Sequence, residues 1–144
     1  MTAYSASNPP DYVYKIIPSP SVNPRYAFPI PVPASHEFVL SELDARDGFI
    51  HMSTRPQVAG TLNRFFPNDP SVVLVKIGYA RLNGFKVVKW ENGYPHLYRT
   101  LEGEYVESVQ ELSRDSSKDV EGDDKGKGSW DSALAKLSES GWFV

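Results

Sequence analysis

The sequence predicts a single α+β domain, and three observations lead to that prediction. The chain has 144 residues, a length typical of one folded domain spanning residues 1–144. Apolar residues make up 40% and charged residues 23%, which is an ordinary globular balance. Helical and strand-like segments are mixed, with most of the strand patterns in the second half, an order that favours the α+β class.

Charge and composition exclude several classes of function. The formal net charge of −3 is too small and of the wrong sign for a DNA-binding surface, although RNA is not excluded. The chain contains no cysteine, which removes disulfides, thiolate zinc sites and cysteine nucleophiles. The longest purely apolar run, Val72 to Val75, is far too short to span a membrane, and the N-terminus does not resemble a signal peptide. We therefore expect a cytoplasmic protein, with its oligomeric state left open.

The first third of the chain is rich in proline. Eight of the twelve prolines lie between Pro9 and Pro33, and proline breaks helices and cannot donate to a β-ladder. We expect an irregular segment over residues 1–11, a strand from Tyr12 to Ile17, and an extended loop after it. Ser41, with Asp44 three residues later, then predicts the start of a short helix that ends near Gly48.

The remaining elements follow from hydrophobic periodicity and turn signals. Thr54, with Gln57 three residues later, predicts the start of a second helix. A polar loop is expected over residues 113–128, where Val120 is the single apolar residue, and a C-terminal helix and tail over residues 129–144. Strands are predicted at Phe49–Met52, Ser71–Ile77, Phe85–Glu91, Tyr94–Tyr98 and Tyr105–Leu112.

The segment FIHMSTRPQ, from Phe49 to Gln57, is the most informative stretch for function. If a strand passes directly into a helix here, Ser53, Thr54 and Arg55 lie at the junction. Free N–H groups of a helix N-terminus, hydroxyls and a guanidinium together suit a phosphate or diphosphate. His51 and Ser53 would point to the same side of the strand. The alternative is that Ser53 and Thr54 only cap the helix.

A second group of candidates lies at Glu91 and in the segment YPHLYR that follows. His96 shares a strand face with Tyr98, and this face could form a pocket wall. Glu91 could act as an acid or stabilise a cation. The alternatives are a satisfied half-buried histidine and a solvated strand-end carboxylate. A metal site of His51, His96 and Glu91 is also conceivable, but the spacing matches no metal motif, so no metal is predicted.

The motifs DGFIHMS, WE and PHLY, in this order, resemble the family called "domain of unknown function 952". The resemblance covers roughly Tyr12 to Leu112. That family is similar in fold to the ADP-ribosyltransferase superfamily, and the His-x-Ser-Thr piece also resembles one in NAD-dependent RNA 2′-phosphotransferases. The resemblance implies a small fold with a bent, mostly antiparallel split β-sheet that grips a nicotinamide dinucleotide. NAD is therefore the expected cofactor.

The resemblance also implies roles for individual residues. His51 and Ser53 match the family's H-x-S motif and would position a ribose. Glu91 matches its late acidic position and would stabilise the oxocarbenium-like ribose as nicotinamide leaves. The P-H-x-Y motif is matched by His96 and Tyr98. Two positions differ from the family, because Lys15 stands where it usually has histidine and Arg99 where it usually has glycine.

These observations give one leading hypothesis and two alternatives. The leading hypothesis is an NAD-binding, ADP-ribosyltransferase-like domain that cleaves the nicotinamide–ribose bond or transfers ADP-ribose. The first alternative is a non-catalytic module that binds a nucleotide or a phosphorylated metabolite. The second is a hydrolase that uses a histidine and a glutamate as acid and base on a phosphoester. The predicted catalytic residues are Glu91, His51 and His96; the predicted binding residues are Lys15, His51, Ser53, Thr54, Arg55, Tyr98 and Arg99.

Overall fold

A computed structural model describes residues 3–114 and 129–144, and it shows an α+β fold with two antiparallel sheets, which confirms the predicted class. One sheet has the strand order β1-β3-β6 and the other β2-β5-β4. The helices are α1 (Glu42–Asp47), α2 (Arg55–Phe65), α3 (Tyr79–Phe85) and α4 (Ser129–Glu139). The strands are β1 (Tyr12–Pro18), β2 (Phe49–His51), β3 (Ser71–Gly78), β4 (Val87–Glu91), β5 (Tyr94–Tyr98) and β6 (Val106–Ser113).

The β1-β3-β6 sheet is the middle layer of the molecule. One face of β3, with Val73 and Val75, packs into a core shared with the second sheet. Its other face, with Val72 and Leu74, packs against residues of α2 and α4. A strand that is covered on both faces is continuously apolar, which explains why β3 was the clearest strand in the sequence.

The second sheet has one apolar and one polar face. Ile50 and Leu97 are paired across β2 and β5 and are buried in the core. The residues beside them alternate to the other face, where His51 lies directly opposite His96. The register therefore places two histidines from distant parts of the sequence side by side.

Helix α2 is anchored at its start to both sheets. The Gln57 side chain accepts a hydrogen bond from the Thr54 N–H at 2.9 Å, as the predicted capping pattern requires. The Gln57 amide also donates to the Gly93 carbonyl, in the turn between β4 and β5, at 2.8 Å. Ser53, just before the helix, pairs with Tyr14 of β1 in an isolated bridge. The strand-to-helix junction is thus fixed where the two sheets meet.

The main differences between the sequence predictions and the structure concern residues 79–87. Helix α3 was not predicted, and β4 begins at Val87 rather than Phe85. The helix forms because Tyr79 and Leu82, three residues apart, are both buried, and this packing outweighs the poor helix propensity of Gly84. The predicted polar loop over residues 113–128 falls almost entirely outside the described residues, and Ser113 itself is the last residue of β6.

Candidate functional site

The two sheets, α1 and α2 border a cleft of about 580 Å³. Its volume lies within the range of small-molecule sites, roughly 300–1,000 Å³. Polar side chains converge on it from separate parts of the chain: Lys15, Asp44, His51, Ser53, Glu91 and His96. Five predicted binding or catalytic residues, Lys15, His51, Ser53, Glu91 and His96, therefore come together in one place.

His96 and Glu91 form the more open of two carboxylate–histidine pairs in the cleft. The Nδ1 atom of His96 lies 2.7 Å from Glu91 Oε1, and the Tyr98 hydroxyl donates to the same carboxylate oxygen at 3.0 Å. The hydrogen bond from His96, followed by that from Tyr98, holds the pKa of Glu91 below its usual value. Glu91 is therefore a fixed, ionised carboxylate at the edge of the cleft.

The other ring nitrogen of His96, Nε2, belongs to a side chain that lines the cleft and is 11% exposed. No residue in the described ranges 3–114 and 129–144 forms a hydrogen bond with Nε2 of His96. Phe49 stacks on the ring at 4.2 Å between centroids, which fixes its plane. Because Glu91 faces Nδ1, the ring can accept or deliver a proton at Nε2.

His51 belongs to a second pair, whose carboxylate, Asp44, is buried. Asp44 Oδ1 lies 2.6 Å from Nδ1 of His51 and also accepts the backbone N–H of His51 at 3.1 Å. Asp47 Oδ2 lies 3.1 Å from the other ring nitrogen, Nε2. Both ring nitrogens of His51 therefore face carboxylates, so the ring is positioned by the protein rather than left open to a ligand.

Lys15 completes this buried group. Its ammonium donates to Asp44 Oδ2 at 2.7 Å and to the His51 carbonyl at 3.0 Å. Burial lowers the pKa of Lys15, and the Asp44 charge opposes that shift. Burial alone would raise the pKa of Asp44, but the Lys15 charge and the hydrogen bonds from Lys15 and His51 bring it below its usual value. Lys15 thus lines the cleft with its charge already compensated.

Ser53 is held by hydrogen bonds at the inner wall of the cleft. Its hydroxyl lies 3.0 Å from the Thr61 hydroxyl, which in turn donates to the Gln57 carbonyl at 3.1 Å. In this arrangement Ser53 donates to Thr61, and the lone pairs of Ser53 stay free to accept a hydrogen bond. Ser53 therefore suits a ligand hydroxyl better than a phosphate.

Four predicted binding residues do not line the cleft. Arg55 instead donates to the Phe143 carbonyl and to Ser138, and its guanidinium lies 4.7 Å from the centre of the Phe143 ring. Thr54 is buried as the cap of α2, which is the alternative interpretation of that residue. Tyr98 acts through Glu91, and Arg99 occupies a left-handed turn position with φ of 85°. The expected diphosphate site at Arg55 is thus used by the C-terminal segment.

The cleft contains residues that the sequence did not identify as functional. Asp44 looked only like part of a helix cap, although it also binds Lys15 and His51. Gly60, Thr61 and Arg64 line the cleft from α2 and belong to no motif. Their spacing, with Arg64 one turn after Gly60, was the signal that could have placed them on one helix face.

Two features are absent from the residues that the structure describes. No group of three or more His, Asp or Glu side chains in them could hold a metal ion. None of their helices has the length and apolar character needed to cross a membrane.

Comparison with known proteins identifies the family. Residues 32–109, over half of the chain, match the family described as "Protein of unknown function (DUF952)", and the chain belongs to that family. The predicted family resemblance is thereby confirmed, over a shorter span than the one expected from Tyr12 onwards. No curated protein matches the chain.

The fold is similar to that of protein CC0527 from Caulobacter crescentus. The X-ray structure of that protein is 27% identical, with a TM-score of 0.57 over 73% of this chain and 89% of that chain. Its solution NMR structure is 28% identical, with a TM-score of 0.56 over 75% of this chain and 90% of that chain.

Proposed function

We propose that the chain is an ADP-ribosyltransferase-like domain that binds NAD or a related nucleotide in the cleft and cleaves its nicotinamide–ribose bond. One observation carries the proposal. His51, Ser53, Glu91 and His96, the residues that match the family motifs, come from separate segments and line the same cleft. Convergent polar groups in a cavity of ligand size are the usual mark of a binding or active site.

Glu91 stabilises the positive charge that develops on the ribose. In the proposed step, the bond between ribose C1′ and the nicotinamide nitrogen breaks, and its electron pair leaves with nicotinamide. A water or an acceptor hydroxyl then adds to C1′ and gives up its proton to Nε2 of His96. The low pKa of Glu91, caused by its hydrogen bonds from His96 and Tyr98, keeps the carboxylate ionised for this role.

The other cleft residues orient the ligand. The free lone pairs of Ser53 accept a ribose hydroxyl. Tyr94 keeps 39% of its surface exposed beside the cleft, so its ring can stack on a base or on nicotinamide. His51, with both ring nitrogens facing carboxylates, supports the wall next to His96.

The first test is a calorimetric titration with NAD, ADP-ribose and nicotinamide, followed by an assay for released nicotinamide. We expect saturable NAD binding and nicotinamide release. The Glu91→Gln variant should still bind NAD but lose turnover by about 100-fold or more, the scale seen when a charge-stabilising group is removed. Glu104→Gln, which alters a surface partner of Arg81, is the matched control and should keep full activity.

The other outcomes of this test are equally informative. NAD binding without release of nicotinamide would contradict the enzyme hypothesis and favour a non-catalytic nucleotide-binding module. Absence of binding by all three compounds would remove NAD as the ligand. Loss of NAD binding in Glu91→Gln would give Glu91 a binding role.

The His96–Glu91 pair favours one further candidate function, acid–base hydrolysis of a phosphoester. A carboxylate 2.7 Å from Nδ1 of a histidine that lines a cleft is an arrangement suited to proton transfer. This candidate predicts a bell-shaped pH–rate profile on a generic phosphoester such as p-nitrophenyl phosphate, with no requirement for NAD.

A further inference from the structure

The cleft contains one cation, Arg64, that forms no ion pair with a carboxylate of the described residues. Of its two basic residues with permanent charge, Lys15 is paired with Asp44 at 2.7 Å. Arg64 forms no ion pair with any carboxylate in residues 3–114 and 129–144, and its guanidinium lies 5.2 Å from the centre of the Phe65 ring. Stacking on a ring leaves the N–H edges of a guanidinium open, and these edges match the oxygens of a phosphate.

The helix face that carries Arg64 is shaped for close approach. Gly60, Thr61 and Arg64 of α2 all line the cleft. A Cβ atom added at Gly60 would meet nothing within 4 Å, so the glycine leaves cleft space empty that any side chain would occupy. Glycine in a helix interior is unfavourable for stability, so its presence on this face is consistent with a ligand lying against the backbone.

The order of the cleft residues along α2 indicates how a ligand would be oriented. Thr61, which contacts Ser53, precedes Arg64 by three residues, or about 4.5 Å along a helix axis. If a sugar hydroxyl of the ligand binds at Ser53, the group attached to that sugar lies beside Arg64. The carbonyl groups at the C-terminal end of α2 would repel an anion there, so the arginine charge decides whether an anion binds.

We propose that Gly60 and Arg64 form an anion subsite that holds the phosphate or diphosphate of the ligand, next to the sugar position at Ser53. This inference rests on the proposed function for the identity of the ligand, a nucleoside diphosphate. The proposed diphosphate position is therefore at Arg64, near the C-terminal end of α2. Arg55, at the start of the same helix, contacts the C-terminal segment instead.

The test is a titration of ¹⁵N-labelled protein with sodium pyrophosphate and with ADP-ribose at constant ionic strength. Both probes should shift the amide signals from Gly60 to Phe65. Arg64→Gln should weaken the binding of both probes by about tenfold or more, because a charge-assisted pair is lost. Arg81→Gln is the matched control, since Arg81 also lies over a phenylalanine, at 5.3 Å, but outside the cleft, and it should stay within about twofold of the original protein.

A steric pair of variants tests the same subsite without changing charge. Gly60→Leu should abolish ADP-ribose binding, because the new side chain fills the cleft. Gly84→Leu places the same residue at an equally open helical glycine outside the cleft and should bind normally. Far-ultraviolet circular dichroism should show both variants folded.

The outcomes separate this inference from the proposed function. If NAD and ADP-ribose fail to bind but pyrophosphate binds in an Arg64-dependent way, the anion subsite stands and the NAD proposal falls. If ADP-ribose binds equally well to the original protein and Arg64→Gln, the subsite is wrong and the NAD proposal survives. Absence of any pyrophosphate shift at Gly60 to Phe65 would also overturn the subsite.

Discussion

The two carboxylate–histidine pairs lie side by side in the same sheet but have opposite surroundings. His51 and His96 are directly paired across β2 and β5, with ring centroids 5.4 Å apart. The carboxylate beside His51, Asp44, is 1% exposed and also binds Lys15. The carboxylate beside His96, Glu91, is 42% exposed. The carboxylate is thus buried in one pair and exposed in the other, whereas the histidines have the reverse order, with His51 32% and His96 11% exposed.

This difference in the carboxylates goes with a difference in the number of hydrogen-bond partners. A buried carboxylate needs partners for each of its oxygens, and Asp44 obtains them from Lys15 and His51. Because Asp47 faces Nε2 of His51, neither ring nitrogen of His51 is left without a carboxylate partner. Glu91 is more exposed and can remain charged with the help of water, and Nε2 of His96 has no hydrogen-bond partner among the described residues. The number of partners, rather than the residue type, is therefore the reason why the proposed function assigns proton transfer to His96 and not to His51.

The largest expected effect comes from breaking the buried pair. Asp44→Ala leaves the Lys15 ammonium buried without its carboxylate, and we expect the free energy of unfolding to fall by about 3–5 kcal/mol. Urea denaturation followed by circular dichroism measures the change. Asp47→Ala, which removes the more exposed partner of His51, should cost less than about 1 kcal/mol.

A double variant checks that the loss comes from the uncompensated charge. Lys15→Met combined with Asp44→Leu removes both charges together and should recover much of the stability lost in Asp44→Ala. If Asp44→Ala is as stable as Asp47→Ala, the buried group has no anchoring role, and the comparison between the two pairs fails.

The next effect is on stability at acid pH. Burial alone would raise the pKa of Asp44, but the Lys15 charge and the hydrogen bonds from Lys15 and His51 together bring it below its ordinary value of 3.8 in the folded protein. A lowered carboxyl pKa gives stability that is complete above the unfolded value and is lost as the pH falls through the folded value. We therefore expect the free energy of unfolding to decrease between about pH 5 and pH 2. The Lys15→Met and Asp44→Leu double variant should lose less unfolding free energy over this pH range than the original protein. An equal loss would mean that Asp44 does not cause the acid sensitivity.

The sequence was sufficient for most of the fold but for only part of the site. Local signals such as the Ser41 cap, the Thr54 and Gln57 capping pair and the apolar run of β3 predicted elements that the structure contains. The junction at Ser53 and the shared face of His96 and Tyr98 also follow from local periodicity.

The other site features depend on contacts that are remote in sequence. Lys15 meets Asp44 across 29 residues, and Arg55 meets Phe143 across 88. Neither contact has a sequence signature, so Asp44 was missed and the contact of Arg55 with the C-terminal segment was not predicted. Helix α3 was missed because the burial of Tyr79 and Leu82, rather than local propensity, stabilises it.

The smallest expected effect is on the exposed pair, in the Tyr98→Phe variant. This change removes the phenol that donates to Glu91 and keeps the ring beside Phe49. Because this hydrogen bond is the second cause of the low pKa of Glu91, after the bond from His96, the pKa of Glu91 should rise toward its ordinary value. A ¹³C NMR titration of the Glu91 carboxyl measures the shift, and Tyr4→Phe, at an exposed tyrosine with no part in the cleft, is the control. An unchanged titration would mean that His96 alone lowers the pKa of Glu91. The exposed pair would then consist of two residues only, without the additional partner that Lys15 provides in the buried group.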